Sequence, residues 1–177
     1  LSLRGIVEQQ HGFIDWSGNI PWFSWNVFKQ PIAFIIFLVC AFAETNRTPF
    51  DLPECESELV GGYHTEYSSM KLGFYLFAEY INMFISSALI SLLFFGGFNY
   101  PGMDWVAHNL GGNLATLVGV GVMFAKTLFG IFFYMWVRWT VPRFRYDQLM
   151  NLGWKILIPL AIVNILITGF VIILNGN

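Results

Sequence analysis

Leu72 to Phe95 reads LGFYLFAEYINMFISSALISLLFF, an apolar run in which Glu79 and Asn82 are the strongly polar interruptions. A membrane-spanning helix needs roughly 20 mainly apolar residues, and this stretch supplies them. Working outward, three more runs qualify. One extends from about Val27 to Ala43, with Pro31 near its start and Ala33-Phe34-Ile35-Ile36-Phe37-Leu38-Val39 at its centre. One extends from Ala115 to Val137 and carries Lys126; the last runs from Ile156 to Leu174, with Pro159 in its first turn and Asn164 midway. Proline is tolerated at such early helical positions. The expectation is an all-α, polytopic transmembrane helix bundle with four spans, 27–43, 72–95, 115–137 and 156–174. No internal repeat or soluble segment separates them, so residues 1–177 read as a single membrane domain.

Composition agrees. Apolar residues make up 56% of the chain and charged residues 11%, against about 25% charged in a soluble domain. The 19 Phe, 7 Trp and 7 Tyr suit a lipid-facing surface with aromatic anchors at the interfaces. A net charge of −2 excludes a general nucleic-acid footprint, which needs a basic face. Leu1-Ser2-Leu3 reads as the tail of an earlier helix, so the chain is expected to be part of a longer one. Cys40 and Cys55 make no disulfide framework and read as inert packing residues. His11, His64 and His108 share no metal spacing, and no phosphate-binding glycine loop, nucleophile elbow, CxxC or CxxCH is present. Nothing in the pattern calls for a bound nucleotide, iron–sulfur cluster, haem or metal. Asn46-Arg47-Thr48 matches a glycosylation sequon, but Pro49 follows it and the loop is expected on the inner side.

Basic residues set the orientation. The stretch from Arg138 to Lys155 contains Arg138, Arg143, Arg145 and Lys155, whereas Gly96–Leu114 has no Lys or Arg. The positive-inside rule puts the first on the cytoplasmic or matrix side and the second on the outer side. Two spans separate the 44–71 loop from the basic loop, so 44–71 also lies inside.

That loop holds Glu44, Asp51, Glu54, Glu56, Glu58 and Glu66, six of the eleven acids, and Glu79 follows within the next span. If the segment after Pro53 is helical, Glu54 and Glu58 share one face and Glu56 turns away. Carboxylates that close titrate as a group and can pass protons along. A solvated acidic loop is the plainer reading. Against it, Pro49, Phe50, Leu52, Pro53, Leu59 and Val60 interleave the acids, and only Arg47, His64 and Lys71 stand near to balance them. Glu79 is the sharper case, because a carboxylate at a helix centre costs about 2.5–3.5 kcal/mol and faces a polar interior. Tyr75, Glu79, Asn82 and Ser86 form one stripe on that helix, and Glu79 is read as a proton or cavity site near the inner boundary. Lys126 allows either a buried ion pair or a relay facing the bundle.

Ala43-Glu44-Thr45-Asn46-Arg47-Thr48-Pro49-Phe50-Asp51-Leu52-Pro53-Glu54, continuing through Glu56-Ser57-Glu58-Leu59-Val60-Gly61-Gly62-Tyr63, carries a further signal. It closely resembles the signature loop of the quinone-site membrane subunit of respiratory complex I (NADH-quinone oxidoreductase), the family called the H subunit in bacteria and subunit 1 in mitochondria. His64-Thr65-Glu66-Tyr67, Ala78-Glu79-Tyr80 and Trp136 through Gln148 resemble that family too. Cys55 stands where a small residue is usual. The resemblance covers the whole chain but only the C-terminal half of the family's proteins, whose fifth to eighth helices these four spans would be.

The resemblance implies a core membrane subunit of a proton-translocating NADH:quinone oxidoreductase. Such a subunit joins the hydrophilic arm to the membrane arm and forms part of the chamber in which quinone is reduced. It has no redox centre; quinone is the substrate, and FMN and iron–sulfur clusters sit in partner subunits. Glu44, Asp51, Glu54, Glu56, Glu58, Glu66 and Glu79 become candidates for the carboxylate path that couples quinone reduction to proton pumping. Arg47 would hold the loop's conformation. Arg138, Arg143 and Arg145 are read as inner-side anchors that dock the hydrophilic arm, with a topology signal alone as the plainer reading. Other complex I subunits, quinone and lipid are the implied partners. A bacterial cytoplasmic membrane is the implied location, with the mitochondrial inner membrane as the alternative. The equivalent subunit of a membrane-bound hydrogenase or formate hydrogenlyase is the runner-up, and the full Glu44–Glu58 motif argues against it. A proton-coupled transporter fragment would call for inverted repeats or broken helices.

Overall fold

The computed structural model describes residues 2–10, 25–51, 61, 65–67, 69–100 and 112–175. Among them the regular structure is helical: α1 (Leu3–Gln9), α2 (Asn26–Lys29), α3 (Pro31–Glu44), α4 (Met70–Phe94), α5 (Gly112–Thr140), α6 (Tyr146–Asn151) and α7 (Ile158–Asn175). A π-helical turn, Leu152–Leu157, joins α6 to α7. Three helical stretches are long and apolar enough to cross a membrane: Met70–Phe94, Gly112–Thr140 and Tyr146–Leu174. Together with the shorter α3 they form a polytopic helical membrane bundle.

The ends of these elements have local causes. The first expected span is divided. Gln30 adopts φ −137° and ψ 66° between α2 and α3, because the ring of Pro31 disfavours helical geometry in the residue before it. The 14 residues of α3 then rise only about 21 Å. Two spans are longer than expected, with α5 reaching from Gly112 to Thr140 and the last helical stretch starting at Tyr146. The expected basic loop is therefore mostly helix, and its irregular part narrows to residues 141–145. The π turn comes just before Pro159, whose ring would clash with the Lys155 carbonyl one α-turn back. Across the widened turn Ile158 N–H donates to Gly153 O instead. Leu1-Ser2-Leu3 was expected to close a helix; Ser2 opens one, its Oγ accepting from Gly5 N at 3.0 Å.

The chain forms two compact units, Leu1–Pro31 with Leu76–Trp136, and Ile32–Tyr75 with Val137–Asn177. In the first, α4 buries Met83, Ser87, Ile90, Ser91 and Phe94, and α5 buries Ala115, Gly119, Thr127 and Tyr134. Close approach depends on small residues. A Cβ on Gly130 would stand 3.0 Å from Ser87 Cβ and 3.1 Å from its Oγ. Without a hydrophobic drive in lipid, such close packing is what associates helices. In the second unit α7 buries none of its described side chains, and Cys40 on α3 is exposed rather than packed.

Candidate functional site

The second unit contains the turn that follows α3. Thr45, 2% exposed, turns its hydroxyl back to Ala41 O (3.0 Å) and Phe42 O (3.2 Å), which closes the helix. Asn46 takes a left-handed conformation, φ 48°, as Asn does readily at a helix end. Phe50 N–H donates to Arg47 O at 2.9 Å, closing a turn that contains the cis Thr48–Pro49 bond. Arg47 and Asp51 are both buried, at 7% and 5% exposure, and both engage partners. Buried charges persist only where they are paired or hydrogen-bonded, so the described turn from Thr45 to Asp51 is packed rather than solvated.

Its neighbour in that unit is the basic segment. Phe144 N–H donates to Pro49 O at 2.9 Å, and the Phe50 and Phe144 rings stack with centroids 5.5 Å apart. Pro49 and Phe50 are therefore in contact with Phe144, far away in sequence. Around it, Arg143 and half-buried Arg138 have partners, while Arg145 Nε makes an exposed 3.3 Å pair with Asp147. Glu44 and Glu66 are exposed. Glu54, Glu56, Glu58 and Cys55 lie outside the described residues.

Glu79 belongs to the first unit, on α4, where it is half-buried and has a partner. Of the stripe read from sequence, Tyr75 and Asn82 are exposed and Ser86 is half-buried. The deepest polar positions on α4 lie one residue further on. Ser87 and Ser91 are each 1% exposed, and among the described residues their hydroxyls have no hydrogen-bond partner. Sequence reasoning missed them because serine on an apolar helix carries little signal beside a carboxylate.

Lys126 is met by backbone oxygens. Its Nζ donates to three of them, Phe95 O at 2.7 Å, Gly97 O at 2.9 Å and Asn99 O at 2.7 Å. It also stands 4.8 Å from the centroid of the Trp25 ring. An ammonium has three protons to donate, and all three are used. Among the described residues it meets no carboxylate. The carbonyls it serves follow the C-terminus of α4, where the helix dipole concentrates negative charge.

Lys126 is one part of a larger cap. Gln10 Nε2 donates to Leu92 O and Leu93 O, Asn26 Nδ2 to Leu93 O, and Asn99 Nδ2 to Val7 O, all at 2.9–3.3 Å. Gly96 and Gly97, with φ 70° and 52°, allow the chain to fold back under these donors. A Cβ at Gly97 would come 2.9 Å from Leu92 Cδ2 and 3.1 Å from Val7 Cγ2. Gln10, Asn26 and Asn99 could have been singled out as polar residues flanking apolar runs, but their acceptors are backbone atoms that a sequence does not display.

Comparison with known proteins bears on the whole chain. Over 98% of its length it is 68% identical to the H subunit of the NADH-quinone oxidoreductase of Flavobacterium johnsoniae, of which it covers 47%. It is 66% identical to the corresponding H subunit of Flavobacterium psychrophilum, covering 48% of that protein. The NADH-quinone oxidoreductase subunit 8 of Rhodothermus marinus is 48% identical over 94% of this chain, again with 48% of the relative covered. The chain thus spans about half the length of the curated relatives it matches. A family model described as NADH dehydrogenase matches residues 1–169, and with a packed Thr45–Asp51 turn on a helical membrane scaffold, the chain belongs to that family.

Proposed function

We propose that this chain is part of the quinone-handling membrane subunit of a proton-translocating NADH:quinone oxidoreductase in a bacterial cytoplasmic membrane. The observation that carries the reading is the match to NADH-quinone oxidoreductase membrane subunits along nearly the whole chain. The buried Arg47–Asp51 turn supports it. A loop whose charges are held in place can keep a fixed field beside a substrate that changes charge on reduction. Quinone is the substrate, and electrons arrive from an iron–sulfur cluster in a hydrophilic partner that also includes the FMN subunit. Arg138, Arg143 and Arg145 help to dock that partner, with Phe144 holding their segment to the turn.

Glu44, Asp51, Glu54, Glu56, Glu58, Glu66 and Glu79 are the proposed path for coupling protons. Glu79 carries the test, because a carboxylate on a helix this apolar serves a polar interior. Glu79→Gln keeps the shape and hydrogen bonding but cannot exchange charge. In membranes containing the assembled complex, it lowers quinone-linked NADH oxidation and proton pumping together by about a hundredfold, the lower end of what loss of a proton-transferring group costs. Electron transfer from NADH to an artificial acceptor survives, and Glu79→Asp retains part of the quinone-linked rate. Wild-type quinone reduction and pumping in Glu79→Gln would make this carboxylate structural and transfer the proposal to Glu54 and Glu58.

A further inference from the structure

A groove of about 890 Å³ lies within the first unit, bounded by α1, α4 and α5. Its walls are apolar, with Phe84 and Leu92 on α4 facing Val120 and Phe124 on α5. Arg4 and Glu8 lie on its rim and are exposed. Hydrogen bonds hold α1 at this rim, from Asn99 to Val7 O and from Gln10 to Leu92 O and Leu93 O. Beside a bilayer, a groove of this size loses its dispersion contacts unless hydrocarbon fills it.

The rim selects the occupant. Arg4 Nε donates to Glu8 Oε1 at 2.8 Å, and both side chains are largely exposed, so the guanidinium and the carboxylate keep further hydrogen-bonding capacity. This places a donor fork beside an acceptor, one helical turn apart. A zwitterionic phospholipid headgroup offers the complement, a phosphate for the guanidinium and an ammonium for the carboxylate. An anionic headgroup would satisfy Arg4 and be repelled by Glu8. We propose that the groove seats an acyl chain of a zwitterionic phospholipid of the phosphatidylethanolamine type, with its phosphate at Arg4 and its ammonium at Glu8. This site depends on the membrane fold and not on any role in quinone chemistry.

The test uses the full-length subunit in its native assembly, reconstituted in mixed phosphatidylethanolamine and phosphatidylglycerol vesicles. Photoactivatable, tagged versions of each lipid are added in turn, and adducts are mapped by peptide mass. The phosphatidylethanolamine probe labels residues 115–127 about threefold more than the phosphatidylglycerol probe, a preference of the size an exposed ion pair gives. Glu8→Gln moves that ratio towards phosphatidylglycerol, a switch that misfolding would not produce. Ala88→Phe, which fills the groove from α4, removes adducts from 115–127 and leaves labelling elsewhere on the chain unchanged. Equal labelling by the two probes, a ratio indifferent to Glu8→Gln, or adducts that survive Ala88→Phe would overturn the proposal. So would a photoreactive residue at Val120 that crosslinks to protein rather than lipid.

Discussion

Each of the three oxygens around the Lys126 ammonium would lose its partner in Lys126→Met. Leaving buried carbonyls unsatisfied costs about 1–3 kcal/mol per group before relaxation, so the variant should be destabilised by roughly 3 kcal/mol. Thermal melting in mild detergent measures this. Lys126→Arg separates the cap from a relay. A guanidinium donates to carbonyls but does not release its proton, so a cap keeps most of the turnover and a relay loses it. Quinone-linked turnover close to wild type in Lys126→Arg, alongside a marked loss in Lys126→Met, identifies the cap. The sequence made Lys126 conspicuous and left its role open, since a lone cation in a span looks the same whether it meets a carboxylate or a helix end. Arg47 and Asp51 were legible as residues of one motif. The interleaved apolar residues spoke against a solvated loop, whereas the contact of Phe144 with Pro49 and Phe50 was not legible, because it joins segments far apart in the chain.

Helix existence was plain from apolar runs, and helix ends were less so. Pro31 shortens the first expected span, and Pro159 converts an expected start into a π turn within a longer helix. In both places a proline acts on the residues before it, which an average over a window of residues blurs. The face of α4 that packs was displaced by one position, because a stripe drawn through Glu79 follows polarity, whereas the packed face follows size. Gly130 shows the same principle. Gly130→Ala gains about 1 kcal/mol of helix propensity and pushes Ser87 by a few tenths of an ångström, so the two effects nearly cancel. Gly130→Leu has no such escape and should destabilise by about 2 kcal/mol through overpacking of α4 against α5. Melting temperatures of the two variants check the contrast; a Gly130→Leu protein as stable as Gly130→Ala would mean the helices part easily there.

For the chain as a whole, the orientation read from Lys and Arg is the statement with the widest reach. The contacts of Phe144 with Pro49 and Phe50 put those two segments on one side, and labelling decides which side that is. Asn99, a natural choice for labelling the outer loop, is buried and holds α1, so it makes a poor probe. Gly112, open at the start of α5, and Asp147, exposed in α6, are better. In a background without Cys40 and Cys55, Gly112→Cys and Asp147→Cys should react with a membrane-impermeant maleimide from opposite faces of sealed vesicles. Reaction of both from the same face would remove the odd number of crossings between them.

The Lys126 cap also bears on how the protein enters its membrane. A cation at the middle of a span adds about 2.5–3.5 kcal/mol to insertion by the translocon, a penalty that α5 would meet if it partitioned alone. The oxygens that receive this cation lie 27 to 31 residues earlier and have already left the ribosome when Lys126 emerges. Solvation of the charge is therefore waiting at the end of α4. The two helices form a hairpin in which the first limb lowers the cost of inserting the second, which favours their entry as a pair.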